Sequence, residues 1–176
     1  MSHVKPTLIA LWMTLWIGLA NAQAATADWT LMIYMAADND LEQAAMIDLD
    51  EIEAGMPESG VEILVFIDRA EGYSEDLGDW TDTRVLRMRP DRVRGEVHAE
   101  TLLKLGELNT GDPVNLTKFI NYSRKNYPAR RYGLVLWDHG GGWQGMADDE
   151  QPGGDAQHDN LSLTELSEAL GAAIDP

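Results

Sequence analysis

The chain alternates short apolar runs with longer stretches in which apolar residues recur every three or four positions. Trp29–Met35 (WTLMIYM) is a continuous run of bulky residues, the pattern of a strand buried on both faces. Ala36-Ala37-Asp38-Asn39-Asp40 ends it. Leu41, Ala44, Ala45, Leu49 and Ile52 then share one helical face, with Asn39 or Asp40 as N-cap and Gly55 and Pro57 as the stop. Val61–Asp68 (VEILVFID) predicts a second buried strand. Two such strands joined by one helix form a βαβ unit, which implies a parallel sheet and a right-handed crossover.

Gly72, Gly78, Asp79 and Asp82 mark turns, and Thr83–Met88 reads as an exposed or edge strand. Five arginines lie between Arg84 and Arg94. They offer either a patch for polyanions or a solvated strand edge kept from pairing by its charge, and the second is the simpler reading. Asp112-Pro113 sets a helix start, cap followed by proline at the first helical position, and Pro113–Asn126 buries Leu116, Phe119, Ile120 and Tyr122 before Pro128. Tyr132–Asp138 (YGLVLWD) predicts a third central strand, which runs directly into His139-Gly140-Gly141-Gly142-Trp143. Residues 144–160 are polar and glycine-rich and read as a surface loop. Ser162 or Thr164 opens a last amphipathic helix through Leu163, Leu166, Leu170 and Ala173. The chain contains no internal repeat.

The N-terminus follows a different pattern. Lys5 precedes the apolar-to-small run Leu8–Ala20, and Ala22-x-Ala24 supplies small residues at cleavage spacing. That is the layout of a signal peptide over residues 1–24, leaving residues 25–176 as the exported part. The run is too short to cross roughly 30 Å of hydrocarbon as a helix, and no cysteine stands at the cleavage point to carry a lipid. These features predict an exported protein, periplasmic or extracellular, with no stable membrane anchor.

Charge and cysteine content narrow the chemistry. Thirty acidic against 13 basic side chains give a net charge of −17, a field that repels phosphate and argues against nucleic acid as a partner. The absence of cysteine excludes disulfides, thiolate metal sites and any cysteine nucleophile within these 176 residues.

The strongest chemical signal is His139. Ligands of parallel sheets bind outside the carboxyl ends of the strands, and His139 stands at such an end with three glycines behind it. Imidazole titrates near neutrality and can act as base or acid, while glycine amides can face a developing negative charge. Two catalytic designs use a His-Gly-rich element after a strand. One is the HGGG oxyanion turn of secreted esterases and lipases with the α/β-hydrolase fold, which requires a G-x-S-x-G elbow that does not occur here. The other is the clostripain type of cysteine peptidase.

Three blocks favour the second. Trp29–Glu42 (WTLMIYMAADNDLE) resembles the opening strand and helix of the clostripain family, peptidase family C11. Val135–Trp143 (VLWDHGGGW) resembles its histidine block, with Asp138 where Asn is more frequent, and Asn160–Leu170 is similar to the helix that leads toward its nucleophile strand. The resemblance implies a caspase-haemoglobinase-like αβα sandwich with a mainly parallel sheet, incomplete in this chain. It implies a secreted cysteine endopeptidase that cuts polypeptides after Arg or Lys through a Cys-His dyad. His139 matches the catalytic histidine, and the backbone N–H of Gly140 matches the oxyanion donor. The family's D-x-C element is absent from the chain, so the resemblance makes these residues the N-terminal part of a peptidase whose remainder carries the cysteine. A catalytically dead peptide-binding homologue is the alternative from another class.

Asp38, Asn39 and Asp40 lie near the site in this topology. Helix capping is their simpler reading, and a metal or substrate contact the sharper one. The sequence demands no cofactor and marks no metal-ligand set. Asp148, Asp149, Glu150, Asp155, His158 and Asp159 make the 144–160 loop oxygen-rich in the way calcium favours, and some members of the family depend on calcium, but EF-hand spacing is missing and solubility accounts for the acids. From Tyr132 to Pro176 there is no Lys or Arg, so a basic-specific enzyme would find no cleavage site of its own there.

Overall fold

The computed structural model describes residues 27–151 and 158–174. The signal-peptide expectation, and Asp155 with it, lie outside them. In chain order the elements are β1 (Ala27–Ala37), α1 (Glu42–Gly55), β2 (Val61–Arg69), β3 (Thr83–Arg87), β4 (Glu100–Gly106), α2 (Pro113–Asn126), β5 (Ala129–Trp137), β6 (Met146–Asp149), β7 (Asp159–Leu161) and α3 (Leu163–Ile174). A five-stranded sheet has the order β4-β3-β2-β1-β5, and β6 and β7 form a separate two-stranded ribbon. β1 pairs in parallel with both β2 and β5, while β3 runs antiparallel between β2 and β4. Only β3 is reversed, so the sheet is mainly parallel.

The unbroken apolar runs of β1 and β2 have a simple cause: each strand feeds two cores. Even positions Met32, Tyr34, Leu64 and Phe66 face α2 and α3, meeting Leu116, Phe119, Ile120, Ala169 and Ala173. Odd positions Ile33, Met35, Val65 and Ile67 face α1, meeting Ala45, Met46 and Leu49. Helices therefore cover both faces of the sheet, as an αβα sandwich requires. On the α2 side the rings of Tyr34 and Phe66 stack with centroids 4.5 Å apart, and Phe119 lies 5.7 Å from Phe66.

The helix starts are chemical. Asp112 caps α2 by accepting the Val114 N–H at 2.9 Å, with Pro113 next. Ser162 caps α3 through a reciprocal box with Glu165: Ser162 Oγ accepts the Glu165 N–H and Glu165 Oε2 accepts the Ser162 N–H.

Several expectations change. Asn39 does not cap α1 directly. It accepts the Leu41 N–H at 2.9 Å in the turn before the helix, which begins at Glu42. Buried Glu42 then forms an ion pair at 2.5 Å with equally buried Arg69. β3 is interior rather than an edge, because β4 covers it, and Thr83, Val85 and Leu86 are buried. Arg84, Arg87, Arg89, Arg92 and Arg94 each meet an acid, among them Glu62, Glu100 and Asp50. β5 is an edge among the described residues, not central, and it leaves Tyr132 and Val135 exposed. Residues 144–160 are not all loop, since they contribute β6 and the start of β7. Leu163 is exposed at the first turn of α3, whereas Ala169 and Ala173 are buried and Leu166 and Leu170 pack beside them.

Candidate active site

The parallel register Met35↔Trp137 brings the carboxyl ends of β1 and β5 side by side. The segments that leave these two ends therefore meet: Asp38-Asn39-Asp40 on one side and Asp138-His139-Gly140 on the other. Asn39 joins them, donating from Nδ2 to Asp138 Oδ1 at 3.1 Å and to the Asp148 carbonyl at 2.9 Å. The second carboxylate oxygen of Asp138 accepts the Asp148 N–H. A buried amide and a half-buried carboxylate thus tie β1, β5 and β6 into one frame. Burial, which raises it, and the Asp148 and His139 N–H groups, which lower it, leave the Asp138 carboxyl above its ordinary value.

His139 stands on this frame in solvent. Its Nε2 lies 2.7 Å from Asp40 Oδ1, and both side chains are more than half exposed. Opposite a carboxylate, Nε2 carries the proton, which leaves Nδ1 as the free lone pair of the neutral ring. The Asp40 hydrogen bond, first, and then the Asp40 charge hold the imidazole above its ordinary value. An imidazole held in one tautomer and orientation, with one nitrogen open, can take and return a proton.

The glycines shape the turn beyond His139. Gly140 has φ +71°, a conformation costly for any side chain, and its N–H has no partner among the described residues. The Gly141 N–H is already committed to the Gly145 carbonyl at 2.8 Å. At Gly145 a β-carbon would lie 2.2 Å from the Leu161 carbonyl oxygen, so glycine is what allows β7 to pass against the turn. His139, Gly140, Gly141, Asp148 and His158 border a cleft of about 320 Å³, and His158 Nε2 pairs with Asp148 at 2.9 Å.

Of the residues singled out from sequence, His139, Gly140 and Asp40 come together at the surface. Asp38 and Asn39 are buried, so the expectation of substrate contact narrows to Asp40. Asp38 turns inward to a group the sequence did not reveal. One carboxylate oxygen each from Asp38, Asp68, Glu107 and Asp149 lie within 4.8 Å of one another. Desolvation by burial, then the Asp149 charge, pushes Asp38 up to about 8. Burial, then Glu107, pushes Asp68 up to about 9, and burial with Asp149 raises Glu107 to about 7. Alternation alone could have flagged Asp38 and Asp68, since each ends a strand with no polar neighbour before it. Glu107 and Asp149 carried no such signal. Of the other acids in the 144–160 segment, Asp148 serves His158, and Asp159 accepts from Asn109 at 2.6 Å.

Comparison with known proteins bears on the family and the fold. Clostripain of Hathewaya histolytica is 35% identical over 123 residues, which are 64% of this chain and 23% of that protein. A secreted C11 cysteine protease of Bacteroides thetaiotaomicron, solved with an irreversible peptide inhibitor, superposes with a TM-score of 0.64 at 22% identity, covering 84% of this chain and 40% of its own. A B. fragilis cysteine protease superposes with a TM-score of 0.52 at 28% identity, over 66% of this chain and 92% of its own. The chain thus spans about a quarter of the length of clostripain. Residues 33–175 match the clostripain (peptidase C11) family as a whole. The chain belongs to the clostripain family of cysteine peptidases, with their caspase-like fold.

Proposed function

We propose that these residues form the histidine half of a secreted cysteine endopeptidase that cuts after Arg or Lys. The observation that carries the reading is the His139–Asp40 pair, held at the joined carboxyl ends of β5 and β1 in a chain of this family. His139 Nδ1 accepts the proton of a thiol supplied by polypeptide outside these 176 residues, because the chain has no cysteine of its own. The thiolate sulfur bonds to the scissile carbonyl carbon, and the oxyanion that forms is met by the Gly140 N–H. Collapse of that intermediate breaks the C–N bond as the imidazolium returns its proton to the leaving amine. Water, deprotonated by the same imidazole, then hydrolyses the thioester and regenerates the thiol. Asp40 fixes the tautomer and favours the imidazolium.

The edge of β5, unpaired among the described residues and with Val135 and Tyr132 exposed, supports a further strand beside it that brings the thiol to His139. The net charge of −17 favours cationic peptides over nucleic acid. The signal-peptide pattern of residues 1–24 supports export, and no helix among the described residues is long and apolar enough to cross a membrane. The test is labelling of the full-length protein with an Arg-directed chloromethylketone. The proposal expects modification of one cysteine, lost in His139→Ala. Labelling of a serine by a phosphonate supports the esterase reading instead, and peptide binding with no labelling at all supports the inactive homologue.

A further inference from the structure

We propose that Trp143 forms the subsite for the first residue of the leaving fragment and selects an aromatic or large aliphatic side chain there; the assignment rests on the peptidase reading above. Trp143 is 83% exposed, more than any other large hydrophobic side chain among the described residues. The other tryptophans described are each engaged. Arg131 lies over Trp29, 5.6 Å from the ring centre, and Arg69 and Arg84 lie over Trp80 at 4.6 and 4.1 Å. Trp137 donates from Nε1 to Asp48 at 2.7 Å. The Trp143 side chain has no hydrogen-bond, ring-stacking or cation–π partner among the described residues.

The turn that presents this indole is closed at its base. The Gly141 N–H donates to the Gly145 carbonyl at 2.8 Å and the Gln144 N–H to the Gly141 carbonyl at 3.1 Å, with Gly142–Gln144 forming a single 3-10 turn. Gly145 is wedged against the Leu161 backbone, where no β-carbon fits. The ring therefore stands on a fixed support, and a ligand that covers it has little backbone left to order. No residue from Gly140 to Gly145 is charged, so the surface offered is apolar. A flat ring exposed when free and covered when bound is the kind of anchor that dominates recognition.

The sheet order gives the direction along the substrate. β1 lies on one side of β5, and the edge unpaired among the described residues, where the thiol enters in the reading above, lies on the other. After His139 the chain heads for the β1 side: the Glu150 N–H donates to the Asp38 carbonyl at 3.0 Å, and Asn39 donates to the Asp148 carbonyl at 2.9 Å. The turn thus leads from the imidazole away from the thiol. In the reaction the sulfur bonds the acyl carbon while the imidazole hands its proton to the leaving nitrogen, so the surface beyond the imidazole borders the leaving fragment. Trp143 follows Gly140 by three residues, at most about 11 Å of chain. With the oxyanion at the Gly140 N–H, the first residue past the scissile bond is within reach of the indole.

The experiment is cleavage, by the full-length protein, of peptides that share one acyl segment ending in Arg and differ only in the first leaving residue: Phe, Leu or Gly. Wild type should cleave the Phe and Leu peptides with kcat/KM about tenfold above the Gly peptide. Trp143→Ala should bring that ratio to within about twofold, and Trp143→Phe should retain most of it. A ratio taken within one preparation is independent of its folded fraction, and an indole this exposed has little packing to lose. Cleavage without preference in wild type, or the same ratio in wild type and Trp143→Ala, overturns the proposal and leaves the peptidase reading intact. An Arg-directed chloromethylketone carries no leaving residue, so its labelling of wild type scores that reading separately. Neither labelling nor cleavage in wild type overturns both.

Discussion

Asp40 Oδ1 lies 2.7 Å from His139 Nε2, across 99 residues of sequence, and this contact fixes which ring nitrogen remains available for chemistry. Because Asp40 raises the imidazole above its ordinary value, Asp40→Asn should lower the His139 midpoint in an NMR titration. A histidine raised on folding contributes stability fully below its unfolded value, near 6.5, and loses it as pH rises through the folded value. The Tm difference between wild type and Asp40→Asn should therefore be larger at about pH 6 than at about pH 8.5. Solvent screening keeps it small. An unchanged His139 midpoint contradicts the pairing.

His139→Ala should reduce kcat of the full-length protein by about 10²–10⁴-fold, the range for losing a general acid–base group. Asp40→Asn should cost less, on the order of tenfold, because the imidazole remains and only its orientation is loosened. Steady-state kinetics on an Arg-containing peptide distinguishes the two, with KM little changed in both.

Gly140 and Gly145 both have positive φ but differ in surroundings. A β-carbon at Gly140 meets nothing within 4 Å, so Gly140→Ala should cost only the left-handed penalty of about 1–2 kcal/mol. At Gly145 the same atom collides with the Leu161 backbone at 2.2 Å, so Gly145→Ala must displace β7 and should cost well above about 2 kcal/mol. Chemical denaturation of the two variants, giving equal losses, would count against this packing.

The buried Glu42–Arg69 pair predicts a non-additive cycle. Arg69 also donates to the Ser74 carbonyl and stacks over Trp80, 4.6 Å from the ring centre. Glu42→Gln leaves the guanidinium buried without its counter-charge, a loss of about 3–5 kcal/mol. Replacing both partners by apolar residues should cost less than the sum of the single changes, and additivity in denaturant melts contradicts it.

The missing basic residues give a processing prediction. Arg130 and Arg131 lie within β5, where Arg130 pairs with Asp28 and Arg131 packs on Trp29. An enzyme of Arg/Lys specificity should therefore leave residues 132–176 intact. N-terminal sequencing of purified full-length protein should find no new terminus between 144 and 176, and finding one contradicts the expectation.

How much of this was legible in sequence depends on what each pattern encodes. β1 and β2 were readable because burial on both faces leaves no polar position to confuse the run. α2 was readable because Asp112-Pro113 states its start. β5 has the same apolar run as β1, yet it is an edge among the described residues, because composition records what a strand is built to touch and not which chain supplies the neighbour. β6 was hidden by its own irregularity: Ala147 has φ +58°, the register shifts between Met146 and Asp149, and the strand reads as polar loop. Glu42 and Asp149 were hidden for a general reason. An acidic side chain reads as solvent-facing unless its partner is known, and their partners lie far along the chain. His139 was legible from its glycines; Asp40 was legible as a neighbour, but not as the group that holds the imidazole.

The most direct measurement is mass-spectrometric mapping of an Arg-directed chloromethylketone on the full-length protein, in wild type and His139→Ala side by side. The predicted result is stoichiometric modification of a single cysteine located after residue 176, at a rate reduced by about 10²-fold or more in His139→Ala. Modification of that cysteine at the same rate in both proteins, or modification of a serine instead, contradicts His139 as the proton acceptor of a thiol peptidase.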